Sequence, residues 1–241
     1  MPFSPKEILI SEKISLSAKF FSLLFFIRCL VLNAERILFG SNRLTLSEKT
    51  KEYLAVSEKL TIFASEMKKL RTIEMQRLTV DEFKQAEKLP LVVVLDDVRS
   101  MHNVGSVFRT GDAFRIEAVY LCGITSTPPM TEIHKTALGA EDSVSWTYFP
   151  TAMEALQALK AEGYEVLAIE QAHGSTMLQD FRPERNRKYA VILGNEVKGV
   201  HQEVVDAADG CLEIPQFGTK HSMNVSVTAG IIIWHFAQTI I

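Results

Sequence analysis

From Leu91 onward the chain alternates short runs of β-branched and aliphatic residues with segments long enough for one helix each. LVVVLDDV at 91–98 is apolar with hardly a break, so it offers no solvent face, as expected of a strand covered on both sides. Further runs lie at 117–123, 144–149, 164–171, 189–196 and 211–216. The segments between them read as helices at 103–114, behind Pro128 and Pro129, at 151–161, at 200–208 and at 222–239. Strands separated by helix-sized stretches predict parallel βαβ units with helices on both sheet faces, an α/β domain. In such sheets ligands sit beyond the carboxyl ends of the strands. Polar residues collect there: Asp96, Asp97, Arg99, His102 and Asn103 after the first run, Gly194, Asn195 and Glu196 at the end of the fifth, and 216–224 after the sixth.

Composition narrows the class without naming a function. Of 241 residues, 47% are apolar and 23% charged, with a net charge of −3. These are the values of an ordinary globular protein, and they speak against one that grips nucleic acid by overall charge, while leaving a local basic surface open. Cys29, Cys122 and Cys211 are scattered, with no CxxC pair, so no metal site is predicted and a reducing cytoplasm is the expected location. There is no GxGxxG, no GxxxxGK[ST] and no GxSxG, which argues against a Rossmann dinucleotide site, a P-loop and a hydrolase elbow. A triad assembled from His102, Asp96 and Ser222 would be an arbitrary choice.

The N-terminal quarter has a different character. The run at 20–32 is thirteen residues with Arg28 inside it, too short to span a membrane, and no membrane partner is expected. It reads as a packed or loosely attached helix, as a signal peptide diluted by Glu7 and Glu12, or as part of an over-long start ahead of a natural beginning near Met67. From 44 to 87 the apolar spacing is helical, and Thr79 with Glu82 three residues later forms a capping box. The charges Lys68, Lys69, Arg71, Arg77, Lys84 and Lys88 read as a solvated helix face or a phosphate-contacting arm.

Three blocks carry the chemistry. NVGSVFR sets Asn103 and Arg109 six residues apart at the start of a helix, which is expected to leave them near one another, with Gly105 allowing close backbone approach. LGNEVKG offers main-chain amides and Glu196, and IPQFGTKHSMN offers more amides, a hydroxyl and a carboxamide. That inventory suits a neutral hydrogen-bonding ligand such as a nucleoside, held chiefly by main chain. In isolation Asn103 reads equally as a helix cap and Arg109 as half of a surface ion pair. Ser226 is expected to pack in the last helix, Trp146 and Trp234 in the core, and His134, His173, His201 and His235 to be incidental. Lys220 and His221 border the third block as candidate phosphate contacts.

Taken in order, the blocks resemble the three motifs of the SpoU (TrmH-like) RNA ribose methyltransferases of the SPOUT superfamily. Asn103, Gly105 and Arg109 match the first motif, and Gly194, Glu196 and Gly199 the second. Ile214, Pro215, Gly218, Ser222, Asn224, Val225, Ser226 and Val227 match the third. Met223 stands where leucine is usual, and Gln216 where methionine is frequent. The resemblance spans 91–236. It implies an α/β parallel-sheet domain at 67–241 with a C-terminal deep trefoil knot, one of the rare exceptions to unknotted chains. Residues 1–66 would form a helical N-terminal extension. It further implies S-adenosylmethionine as cofactor, a homodimer, and structured tRNA or rRNA as substrate. Leu193, Gly194, Gly199, Ile214, Gly218 and Met223 would bind the cofactor, and Asn103, Arg109, Glu196, Ser222 and Asn224 would form the catalytic neighbourhood. The family assigns the base role to the position of Arg109. A guanidinium is normally only a donor, so an electrostatic role fits it better, with Ser222 or Glu196 orienting groups. An RNA-binding protein of this fold without catalysis, or a base methyltransferase, are the rival readings.

Overall fold

The computed structural model describes residues 69–240. The apolar run at 20–32, Cys29, Lys68 and the expected extension at 1–66 lie outside the described residues. The chain divides into two units, Met1–Met75 and Gln76–Ile241, and the second contains the whole sheet.

The elements of this second unit run α1 (Val80–Gln85), β1 (Leu89–Asp96), α2 (Met101–Phe114), β2 (Ile116–Cys122), α3 (Thr131–Ala137), α4 (Ala140–Ser143), β3 (Ser145–Phe149), α5 (Ala152–Ala161), β4 (Tyr164–Ile169), β5 (Thr176–Met177), β6 (Lys188–Leu193), α6 (Gln202–Ala207), β7 (Gly210–Glu213) and α7 (Val225–Ile240). The sheet order is β3-β2-β1-β6-β4-β7-β5, and every pairing is parallel. The predicted parallel α/β architecture is therefore present.

Period-two alternation in β1 explains the layers. Leu91, Val93 and Leu95 face one side, where they join Val104, Val107 and Phe108 of α2 and Ile232, Ile233 and Phe236 of α7. Val92 and Val94 face the other side and join Leu156 and Leu159 of α5 and Val204 of α6. Each fully buried aliphatic or aromatic side chain here stabilises the fold by roughly 1.5–3 kcal/mol. β1 and β6 lie side by side in the middle of the sheet, which is why their sequences lack a polar phase.

The structure departs from expectation in several places. β1 begins at Leu89, ahead of the run expected from 91, so Pro90 lies inside it, at a shift in register between Leu89 and Val92 where its missing N–H does no harm. Helix α2 starts at Met101, and Ser100 caps it by accepting from the Asn103 amide at 3.3 Å, so Asn103 is a first-turn residue and not the cap. The last helix starts at Val225, leaving Ser222 and Asn224 in the loop before it. Trp146 and Trp234 are 38% and 52% exposed, not core. Trp146 sits on β3, the edge strand, and Trp234 on the outward face of α7, edge-on to Phe114 with ring centroids 5.7 Å apart. The Thr79–Glu82 capping box forms as expected.

Candidate active site

Three loops meet beyond the carboxyl ends of β1, β6 and β7. Asp97, the residue after β1, turns the chain at a φ of 53°, a left-handed conformation that aspartate tolerates better than most residues. Its carbonyl accepts from Asn195 Nδ2 at 2.7 Å, and its Oδ1 accepts from the Ile124 amide at 2.9 Å. Beyond β6, Asn195 and Gly199 form a tight antiparallel bridge, and Asn195 Oδ1 accepts from the amides of Val197 and Lys198 at 2.9 and 3.1 Å. Gly194 has no room for a methyl, because an added Cβ would collide with the backbone of Gly199 and Val200. Gly105 has the same constraint against Thr136 and Ile133, where α2 crosses α3.

A chain of side-chain hydrogen bonds joins the three blocks. Glu196 accepts from the amides of Arg99 and Ser100 at 3.0 Å each, and from Asn103 Nδ2 at 3.1 Å. Asn103 Oδ1 in turn accepts from Asn224 Nδ2 at 3.1 Å. Asn224 Oδ1 accepts from the Ser226 amide at 2.9 Å and from Ser226 Oγ at 2.7 Å, capping α7. Residues 93 and 121 positions apart in the sequence thus hold one another in place. Partial burial works against the charge of Glu196, but hydrogen bonds from Arg99, its own amide, Ser100 and Asn103 outweigh it and hold its pKa below the usual carboxylate value.

Beside this chain lies a cavity of about 310 Å³. Of the residues expected to bind cofactor, Leu193, Gly194, Gly199, Ile214 and Met223 line it, whereas Gly218 does not. Of the residues expected in the catalytic neighbourhood, Glu196 and Ser222 line it. Asn103 and Asn224 stand behind the wall through their bonds to Glu196 and to each other.

Arg109 points elsewhere. It lines a different depression with Leu78, Val80, Phe83 and Leu138. Six residues along a helix of 3.6 residues per turn rotate a side chain by about 240°, so Asn103 and Arg109 leave α2 on different faces, contrary to the expected proximity.

Several contributors were not legible as site residues. Glu170 and Gln171, which follow β4, line the cavity; Glu170 Oε2 accepts from the Val200 amide at 3.1 Å, and Gln171 Nε2 donates to the His221 carbonyl at 2.6 Å. His201, expected to be incidental, pairs with the buried Asp96 at 2.9 Å and lies 3.6 Å from Asp97. The hydrogen bond to Asp96, then its charge, raises the His201 pKa. Among the described residues, Asp96, Asp97 and His201 bring three potential metal-ligand atoms within 4.8 Å of one another, but here the imidazole itself answers both carboxylates. No described helix is long and apolar enough to cross a membrane.

Comparison with known proteins adds a third line to the motifs and the fold. Among curated relatives, an uncharacterized tRNA/rRNA methyltransferase of Borreliella burgdorferi is 27% identical over 86% of this chain and 88% of its own. A tRNA (guanosine(18)-2′-O)-methyltransferase of Thermus thermophilus is 30% identical over 67% of this chain and 81% of its own. Among solved structures, an AdoMet-bound rRNA methyltransferase from Sinorhizobium meliloti superposes with a TM-score of 0.59 at 25% identity, covering 69% of this chain and 62% of that one. A TrmH/SpoU tRNA-modifying enzyme of A. aeolicus gives 0.58 at 25% identity, covering 65% and 78%. The family model described as the SpoU rRNA Methylase family matches residues 90–234, the stretch that builds the sheet, the cavity and all three hydrogen-bonded blocks. The chain belongs to the SpoU rRNA methylase family.

Proposed function

We propose that this protein transfers a methyl group from S-adenosylmethionine to a ribose 2′-hydroxyl of structured tRNA or rRNA. The observation that carries this reading is the Glu196–Asn103–Asn224 chain, which fixes the lips of the cavity where the family's three motifs meet.

S-adenosylmethionine is the cofactor, and the cavity suits it. Leu193, Leu212, Ile214 and Met223 offer apolar contact for a flat purine, and main-chain groups of the glycine-bearing loops suit its ring nitrogens. Glu170 and Lys198 supply opposite charges for a zwitterionic amino-acid end. When bound, the cofactor supplies an electrophilic methyl on a sulfonium. The chain's own residues must align a hydroxyl with that methyl and stabilise the oxygen as its proton departs. Ser222, exposed at the cavity rim, is placed to orient the hydroxyl. Arg109 acts as a fork-shaped donor to the developing alkoxide and the neighbouring phosphate.

Because Arg109 lies away from its own subunit's cavity, it serves the cavity of a second subunit. Val227, Ile231 and Trp234 support the homodimer: they are exposed at four- and three-residue spacing along one face of α7, and Trp234 packs on Phe114 of the helix that carries Arg109. We further assign a trefoil knot to the C-terminal loops. In support, β6 inserts between β1 and β4, while the chain leaving β7 returns to pack α7 against the β1 side of the sheet. A cytoplasmic location fits an RNA substrate.

The reading is tested by mapping ribose methylation in total tRNA and rRNA from cells with and without the gene. Loss of one 2′-O-methyl site names the substrate, and unchanged ribose maps with a lost base methyl overturn it.

A further inference from the structure

Phe217 is 96% exposed, more than any other large apolar side chain among the described residues. It is not a stray surface residue, because its neighbours in the loop, Gln216 and His221, both line the cavity. The loop is pinned there by the 2.6 Å bond from Gln171 Nε2 to the His221 carbonyl, while the space beside Gly218 is open. The ring is therefore held out at the cavity mouth on a loop fixed near its far end. On the loop after β6, Val197 is 77% exposed and also lines the cavity, next to Lys198.

Charge selects the kind of partner. The stretch 216–222 reads QFGTKHS, with Lys220 and His221 and no carboxylate. On the loop after β6 the carboxylate of Glu196 is engaged by the amides of Arg99 and Ser100. A bare aromatic face beside Lys220 suits a ligand that is flat and anionic at once, which describes a nucleotide in an unpaired stretch of RNA.

We infer that Phe217 is a base-stacking platform: a nucleobase at or beside the target ribose lies on its ring, with the adjoining phosphate at Lys220. The inference rests on the RNA methyltransferase reading and adds to it the residue that presents the target nucleotide.

The test uses the full chain with S-adenosylhomocysteine present, titrated with unmodified bulk tRNA and with a labelled mixed-sequence oligoribonucleotide. Phe217→Ala is expected to weaken RNA binding by roughly 5- to 150-fold, the range for loss of one base–aromatic stack. Phe217→Tyr should bind within about threefold of the parent, because the π face is kept, whereas Phe217→Leu should not recover binding. Cofactor affinity by calorimetry and oligomeric state by light scattering should not move. RNA binding unchanged in Phe217→Ala overturns the inference, as does recovery by Phe217→Leu. A shift to monomer would assign the ring to a contact between copies, and a loss of cofactor affinity would assign it to the cofactor; either result also overturns it. If the parent binds RNA through Phe217 but makes no 2′-O-methyl product, the catalytic reading fails and the platform stands.

Discussion

Replacing Glu196 by glutamine separates a tether from a catalyst. The carboxylate accepts two backbone amides at 3.0 Å and the Asn103 side chain at 3.1 Å. Glutamine has one acceptor oxygen, so one of the amides ahead of α2 loses its partner and faces an NH2 group instead. A lost neutral hydrogen bond costs about 0.5–1.5 kcal/mol net, and a lost charge near a helix N-terminus about 0.3–1 kcal/mol. Because Glu196 is solvent-exposed on one side, the top of the combined range is discounted, leaving about 1–2 kcal/mol. For a domain of this size the melting temperature should fall by about 2–8 °C. The sign with pH comes from the lowered pKa of Glu196. Its contribution is present above the unfolded value, 4.5, and is lost as pH falls through the lower folded value, so the gap between parent and variant should be full at pH 7 and close under more acidic conditions. Thermal melts from pH 3 to 8, paired with methyl-transfer rates, make the test. A variant that melts with the parent at pH 7 yet has lost all methyl transfer would refute the tether account and make Glu196 a direct participant in the reaction.

The packing and charge pattern set four further outcomes. Gly194→Ala should lower cofactor affinity at least tenfold by calorimetry, since its methyl must displace the backbone of Gly199 and Val200. His201→Gln should be destabilising at pH 6 and nearly neutral at pH 8 in thermal melts, because a raised histidine pKa contributes stability below 6.5 that is lost as pH rises through the folded value. Burial pushes the Cys122 thiol up to about 12, so at pH 8 about one part in 10⁴ is thiolate and peptide-resolved alkylation of the native protein should leave Cys122 unlabelled. Ile231→Asp on α7 should shift the sedimentation of a homodimer toward monomer; an unchanged dimer would place the interface elsewhere.

How much of the molecule is legible in its sequence depends on whether the signal is local. The two central strands, β1 and β6, show themselves because burial on both faces leaves no polar phase to misread. The motif residues are legible as small or carboxamide side chains just after apolar runs, and most of them do line or back the cavity. What stays hidden comes from distance or from direction. Asp96 and His201 are 105 positions apart, and no spacing rule connects them. Glu170 and Gln171 look like the ordinary end of a strand until the sheet order sets β4 between β6 and β7. The two-residue β5 and four-residue α4 carry no period at all. Trp146 and Trp234 mislead because apolar neighbours in sequence imply burial only where a partner layer exists, and an edge strand and an outward helix face lack one among the described residues. The distance between Arg109 and Asn103 is misjudged when helical turns are counted without the angle between the side chains.

The most direct test of the central claim is nucleoside mass spectrometry. RNA lacking modifications is incubated with the full-length protein and methyl-labelled S-adenosylmethionine, then digested, in parallel with Arg109→Ala. The account predicts the label on a ribose 2′-oxygen with the parent and at least a hundredfold less with the variant, roughly the loss of one electrostatic stabiliser of a developing oxyanion. Label on a nucleobase, or equal ribose labelling by the variant, would contradict it.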